Sequence, residues 1–348
     1  DMKDYGFSED ERSQIKRLIE NPDINPKQRC VAAFAFAKAS ESYDSPSEIM
    51  VNYKRANDLG LSQHYHPRIL ETEFTARINT YTSQNLLRQA DCGDDTPRPI
   101  FILGLPRSGS TLIEQILASH EHIIGTLEQP TLPIIESRAQ TLCLQRYNLP
   151  LAKALGMLTP HELSQLGKAY LDESAIFRSS NTRFFIDKQP FNFRLIGFIH
   201  KILPQAFIID IRRNPMDCGF SLYKQYFHAG VDFSYKLAHI GAVYKAYVEI
   251  MQHWEDALPG KVFTLQYEDL VEAPEQHIRA LLDAIEMPFD EQCLSFYQTK
   301  RNIHTASSEQ VRQPLNKKGI GAWRKVETEL LELKNSLKAA GVYSDERC

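Results

Sequence analysis

Cysteine is scarce in this chain and unpatterned: six in 348 residues, at positions 30, 92, 143, 218, 293 and 348, with no Cys-x-x-Cys spacing. That argues against a disulfide-framed secreted scaffold and for reduced thiols in a reducing compartment. His64-x-His66 and His120-x-His122 lack a third ligand at a recognisable spacing, so no metal site is expected. Apolar stretches such as Ile100 to Leu105 are far too short to span a bilayer. No cationic segment followed by an apolar run is visible, so neither leader nor anchor is expected, and the expected location is cytoplasmic. Excess positive charge is missing as well: 40 Lys and Arg stand against 44 Asp and Glu, a formal charge of −4. Broad nucleic-acid or anionic-membrane binding is therefore not expected, and any basic function must be confined to a local pocket. What is present is an ordinary globular composition, 43% hydrophobic and 24% charged, on a chain long enough for about two domains.

From Ser8 to about Arg88 apolar residues recur at three- and four-residue spacing with almost no β-branched runs, which predicts stacked helices. The clearest pair runs from Pro26 to Ser42, with Ala32-Ala33-Phe34-Ala35-Phe36-Ala37-Lys38-Ala39, and from Pro46 to Leu59, with Tyr53 and Ala56. Small residues facing aromatics across a short Tyr43-Asp44-Ser45 turn resemble one unit of a tetratricopeptide array. One such unit cannot bury its face alone, so it is expected to cap the next domain or to end a longer array. Cys92 to Pro99 is a polar, Gly- and Pro-containing break, and it places a domain boundary between a helical segment, 1–92, and a second domain, 97–348.

After the break the period changes. Ile100-Phe101-Ile102-Leu103 suits a strand buried on both faces, followed at once by a helix from Leu112 to Ser119. Ala206 to Ile211 is a second such strand, followed by Asn214 as N-cap, Pro215 as first helical residue and a helix from Met216 to Phe227. Val262 to Leu265 is a third, and Thr131 to Phe177 a long helical stretch punctuated at Pro150 and Pro160. Strands alternating with helices predict an α/β domain with a mostly parallel sheet flanked by helices.

Gly104-Leu105-Pro106-Arg107-Ser108-Gly109-Ser110-Thr111 joins a buried strand to a helix, where backbone amides and the helix dipole make an anion site. Gly104 to Gly109 has the spacing of a Walker A loop, yet Ser110 stands where that loop has its lysine. The group that would reach the β- and γ-phosphates of a nucleoside triphosphate is absent, while Arg107, Ser108, Ser110 and Thr111 can hold a terminal phosphate.

The run from Pro106 through Arg107-Ser-Gly-Ser-Thr-Leu-Ile-Glu-Gln-Ile-Leu-Ala-Ser to His120 resembles the 5′-phosphosulfate-binding loop of sulfotransferases. The resemblance is closest to the branch with protein-tyrosine sulfotransferases and tetratricopeptide-linked sulfotransferases. Ile209-Asp-Ile-Arg-Arg213-Asn-Pro-Met-Asp-Cys-Gly-Phe-Ser221 is similar to the family's 3′-phosphate motif, an arginine leaving a strand and a serine eight residues on. Thr305 to Arg324, with Ser307, Arg312, Lys317, Lys318 and Trp323, is similar to its C-terminal loop over the nucleotide. The resemblance spans about Pro97 to Glu329 and implies a P-loop-like sulfotransferase domain.

It further implies the co-substrate 3′-phosphoadenosine 5′-phosphosulfate (PAPS), with adenosine 3′,5′-bisphosphate (PAP) as product, a hydroxyl-bearing acceptor and no metal. Charge builds on the departing 5′-phosphate, so the chemistry asks for fixed cations and amide dipoles rather than a covalent nucleophile. By resemblance, Arg107, Ser110, Thr111 and the loop backbone around Gly109 meet that phosphate, and Lys188 meets the bridging oxygen. Arg213 and Ser221 match the 3′-phosphate pair, although the residues alone do not choose between Arg212 and Arg213. Ser307 and Arg312 match contacts of the covering loop, and Lys317, Lys318 and Arg324 crowd it with positive charge. That loop reads Lys-Lys-Gly-x-Gly-x-Trp here rather than the Arg-Lys-Gly-x-x-Gly of cytosolic members, which leaves open which cation serves.

The acceptor must lose a proton as it attacks. Glu128 occupies the position of the catalytic Glu of tyrosine sulfotransferase-like enzymes, and no histidine lies near Lys188 to replace it. A free Glu titrates near pH ~4.3 and is a weak base unless burial strengthens it. A nucleotide kinase or NTPase, for which Ile208-Ile209-Asp210 imitates a Walker B strand, and a non-catalytic nucleotide-binding module are the competing classes. The helical front end is compatible with a peptide or protein acceptor, and the motifs fit a carbohydrate, lipid or small alcohol as well. Tyr223, Tyr226, Phe227 and Phe233 are candidates for an acceptor pocket, though their spacing suits core positions better.

Overall fold

Five short strands carry the α/β part: β1 (Arg98–Leu103), β2 (Ile123–Gly125), β3 (Phe184–Lys188), β4 (Phe207–Arg212) and β5 (Val262–Gln266). All four pairings are parallel and the strand order is β2-β3-β1-β4-β5. The wholly apolar Ile100 to Leu103 sits at the centre because nothing in it needs water, and all four residues are fully buried. The register sets Ile102 opposite Lys188 of β3 and Ile209 of β4. The computed structural model describes residues 5–61, 65–91, 98–178, 182–301, 308 and 310–344.

These residues divide into two compact units, neither of them one continuous stretch. The larger, Thr72–Arg213 with Glu249–Asn316, contains the sheet. On one face Ile100, Ile102, Ile186, Ile209 and Ile211 pack with Ile113, Ile116, Leu117, Leu281 and Leu282 from covering helices. On the other, Phe101 lies 5.7 Å from Tyr170, and Trp254 is fully buried, donating from Nε1 to the Phe193 carbonyl at 2.7 Å. Crossover helices on both faces are what a parallel sheet requires.

The other unit combines Asp1–Glu71, Asn214–Val248 and Lys317–Cys348. The expected helix pair forms at Pro26–Ser40 and Pro46–Gly60, each opening on proline. The second is closed at its N-terminus by a capping box of Ser45 and Glu48. Ala37, Tyr53 and Ala56 are fully buried. Asn57 donates to the carbonyls of Tyr53 and Tyr223 at 2.8 and 2.9 Å, and Phe34 packs 5.7 Å from Tyr226 and 6.1 Å from Tyr235. Part of the surface that a lone helix pair would leave open is thus covered within the unit by residues 223–235. Of the four candidate pocket aromatics, Tyr223 and Phe233 are buried. Tyr226 and Phe227 line a cleft of about 300 Å³ with Lys27, Cys30, Gly60 and Tyr235. Asn214 caps the helix Pro215–Tyr223 as expected, accepting from the amides of Met216 and Asp217. Among the described residues no helix is long and apolar enough to cross a membrane.

Candidate active site

β1 ends against its neighbours so tightly that the next residue must be glycine. Gly104 has φ +136°, and a Cβ there would lie 2.5 Å from the Ile211 carbonyl oxygen. Its amide donates to the Pro190 carbonyl at 3.1 Å, which ties the start of the loop to the end of β3. Arg107 then takes φ +72°, a left-handed conformation that costs an ordinary residue of order 1–3 kcal/mol and persists only where the surroundings impose it. Gly109 follows at φ +116°, where a Cβ would stand 2.8 Å from the Tyr267 ring. No side chain caps the helix Ser110–Leu117 that begins here, and Ser110 and Thr111 are buried in its first turn. Ser108 is 2% exposed, and its Oγ has no hydrogen-bond partner among the described residues. A hydroxyl with no partner among the described residues, uncapped helix amides and a loop with no room for a Cβ at Gly104 or Gly109 form a cradle suited to a tetrahedral oxyanion.

Beside the cradle, β3 ends at Lys188, which is fully buried. Its Nζ lies 2.5 Å from Glu128 Oε1 and 3.9 Å from Glu114 Oε2. Glu128 follows Leu127, which is also left-handed at φ +67°, so the turn after β2 is strained where it aims the carboxylate at the lysine. Glu128 is 41% exposed on its side chain, so it faces solvent on one side and the buried ammonium on the other. Glu114 is 1% exposed and is held by Arg301, which donates from Nη2 to Oε1 and from Nη1 to the Glu114 carbonyl at 3.3 Å. Asp187, next to Lys188 on the strand, points to the other face. There it accepts from Tyr170 at 2.8 Å and Asn192 at 3.4 Å, and burial pushes its carboxyl up to about 7.

The two arginines at the end of β4, Arg212 and Arg213, take different partners. Arg212 donates from Nε to the buried Asp210 carboxylate at 2.6 Å. Arg213 turns to the loop, donating to the Arg107 carbonyl at 3.1 Å, with its guanidinium 4.9 Å from the Tyr267 ring centre. Arg107 and Arg213 therefore meet outside the carboxyl ends of β1 and β4. The strand order reverses between them, since β2 lies on the β1 side and β5 on the β4 side, and such a crevice is where open α/β sheets bind ligands.

The third motif is spread out. Ser307 lies outside the described residues. Arg312 is exposed and donates to the Arg301 carbonyl at 3.5 Å, while Gln310 accepts from Arg107 at 3.2 Å. In the other unit, Ser221 is half-buried on Pro215–Tyr223, Lys317 and Lys318 are exposed, and Trp323 is buried edge-on to Tyr343. Arg324 stacks its guanidinium 4.9 Å over the Trp323 ring, and Asp217 accepts the Gly321 amide at 2.7 Å, fixing that stretch of chain. Among the described residues no three His, Cys, Asp or Glu side chains gather as metal ligands would.

Sequence reasoning missed Glu114, Arg301, Tyr267 and Gln310. A signal existed for the first: Glu114 and Gln115 interrupt an otherwise apolar helix that packs on the sheet, and a buried charge there demands a partner. The partner, 187 residues away, had no such signal.

Residues 99–291 match the model of the sulfotransferase family. An uncharacterized protein of Aquifex aeolicus is 32% identical over 338 residues, 94% of this chain. The chain spans 44% of that protein's length. Protein-tyrosine sulfotransferase 1 of Danio rerio is 26% identical over 261 residues, 70% of each chain. A solved sulfotransferase domain from the Synechococcus PCC 7002 olefin synthase is 21% identical, covers 72% of this chain and 98% of that one, and has a TM-score of 0.49. With more than half of its length matched by the family model, this chain belongs to the sulfotransferase family.

Proposed function

We propose that the chain moves the sulfuryl group of PAPS to an acceptor hydroxyl. The observation that carries the reading is Lys188 Nζ, 2.5 Å from Glu128 Oε1, beside a loop whose buried Ser108 hydroxyl lacks a partner among the described residues. In this reading the loop from Arg107 to Thr111 holds the 5′-phosphate of the donor, and Arg213 meets the 3′-phosphate. The acceptor oxygen attacks sulfur, an oxygen–sulfur bond forms, and the bond from sulfur to the bridging oxygen breaks. Glu128 takes the acceptor's proton, and Lys188 meets the charge left on the bridging oxygen of PAP. No covalent enzyme intermediate and no metal enters. We keep the functional division at residues 92–97, with a tetratricopeptide-like helical segment before it and the sulfotransferase domain after. The family match at 99–291, wholly on one side of that division, supports it. A tyrosine in an acidic peptide is the first acceptor to test, on the likeness to the protein-tyrosine sulfotransferase of Danio rerio.

The NTPase alternative has less support: Ser110 stands at the lysine position, and the carboxylate of Asp210 is engaged by Arg212. The test is thermal stabilisation by PAP, AMP and ATP, with and without magnesium. Ligand at a hundredfold its Kd stabilises the folded state by about 2.7 kcal/mol, and the melting temperature rises accordingly. PAP is expected to stabilise without magnesium, and Arg213→Ala to lose the response. Stabilisation by ATP and magnesium alone would overturn the reading in favour of a kinase. Stabilisation by PAP with no sulfuryl transfer to any hydroxyl would leave a binding module.

A further inference from the structure

Lys188 has two carboxylates within reach and binds one of them. Glu128 is half exposed and touches the ammonium, whereas Glu114 is 1% exposed and stands back at 3.9 Å. Burial alone favours the opposite arrangement, because a desolvated carboxylate needs a cation more than a solvated one does. The difference is Arg301. Its guanidinium takes Glu114 through both the side-chain Oε1 and the main-chain carbonyl, which satisfies the buried charge and releases Lys188. Gly125 keeps the space open: a Cβ there would lie 2.5 Å from Nη1 and Nη2 of Arg301 and 2.6 Å from Cζ. Gly125 is not left-handed, so the need for glycine at this position is steric.

We infer that Arg301 and Glu114 are positioning residues that set the partner of Lys188, Arg301 by occupying Glu114 so that the ammonium stays on Glu128. This rests on the functional reading above only in making that pair the reacting one. Without Arg301, Glu114 is a buried carboxylate whose one cation in reach among the described residues is Lys188, and Lys188 swings to it. Glu128 then loses its neighbour, and the ammonium leaves the place where the bridging oxygen departs. Glu114 touches no reacting atom in this scheme.

The test is a set of crystal structures with kinetics on the same proteins. In Arg301→Met, Lys188 Nζ is expected within about 3 Å of Glu114, the length of a charge-assisted hydrogen bond, and out of contact with Glu128. Gly125→Ala should give the same displacement through steric exclusion. Arg301→Lys should restore Lys188 to Glu128 in part. Glu114→Gln combined with Arg301→Met should restore it fully, because a neutral amide does not compete for the ammonium. With PAPS and an acidic tyrosyl peptide, Arg301→Met should lower kcat by about 30-fold with the KM for donor changed less than about threefold, and the double variant should recover most of kcat. Lys188 remaining on Glu128 in Arg301→Met overturns the inference, and so does a double variant in which Lys188 stays displaced. If Lys188 moves as expected but the wild type transfers no sulfuryl group, the positioning stands and the functional reading fails. A melting temperature measured for each variant separates displacement of one side chain from loss of the fold.

Discussion

The two ends of the candidate site are built in opposite ways. The loop Gly104 to Thr111 is eight consecutive residues whose shape follows from backbone: a buried strand feeding it, two glycines with positive φ, a strained Arg107 and an uncapped helix behind. The lysine end gathers Glu114, Glu128, Lys188 and Arg301 from four separate stretches, and its shape follows from charge. Backbone amides cannot be mutated away, so the share of the hold on an anion that they supply survives the loss of any one side-chain charge. A network of four charges depends on every member, since removing one leaves another buried and unpaired. The loop end is therefore suited to binding, and the lysine end to the step in which charge moves.

That division is tested by variants that separate affinity from rate. The largest effect belongs to Lys188→Ala, which should lower kcat by about 10³-fold through loss of charge stabilisation on the leaving oxygen. PAP affinity, measured by calorimetry, should stay within about tenfold. Glu128→Gln keeps shape and removes the proposed base, with an expected loss in kcat of about 10²-fold and little change in PAP binding. Near-normal turnover in that variant would remove Glu128 from the mechanism. Gly109→Ala acts on the other end. It forces a side chain into a left-handed position against Tyr267 and should cost about 1–3 kcal/mol of stability in urea unfolding, with PAP affinity falling more than tenfold. If Gly109→Ala spared PAP binding while Lys188→Ala abolished it, the comparison would be inverted.

The same contrast explains what could be read from the sequence. The loop was legible because its constraints are local: Gly104, Arg107 and Gly109 lie within six positions, and the strand before them is too apolar to be anything but central. The helix pair and the Asn214 cap were legible for the same reason, with ends at Ser40, Gly60 and Tyr223 rather than Ser42, Leu59 and Phe227. β2 is not legible as a strand, because three residues carry no period to detect. Glu128 and Lys188 stand out only through resemblance, since spacing says nothing about a contact across 60 residues. Arg301 was out of reach, because what selects it is a buried carboxylate and the empty space at Gly125.

Asp187 offers the smallest effect on the reaction and a test of whether the lysine end is insulated from the core behind it. Alternation along β3 puts Lys188 toward Glu128 and Asp187 toward Tyr170. Burial raises the Asp187 carboxyl from its ordinary 3.8 to about 7, against the opposing pull of the Tyr170 hydrogen bond and the Lys188 charge. Between those values the folded protein holds a proton that the unfolded chain releases. The stability this group supplies is thus fully present below about pH 4 and is lost as pH rises to about 7. The slope approaches about 1.4 kcal/mol per pH unit, the most that one proton can give. Asp187→Asn keeps an acceptor for Tyr170 and removes the titration. Urea midpoints measured from pH 5 to 8 should therefore fall more steeply for the wild type than for the variant. Parallel curves would mean that Asp187 is ionised throughout, held so by Lys188. The ammonium would then be shared between Asp187 and Glu128, and Asp187→Asn would change kcat as well as stability.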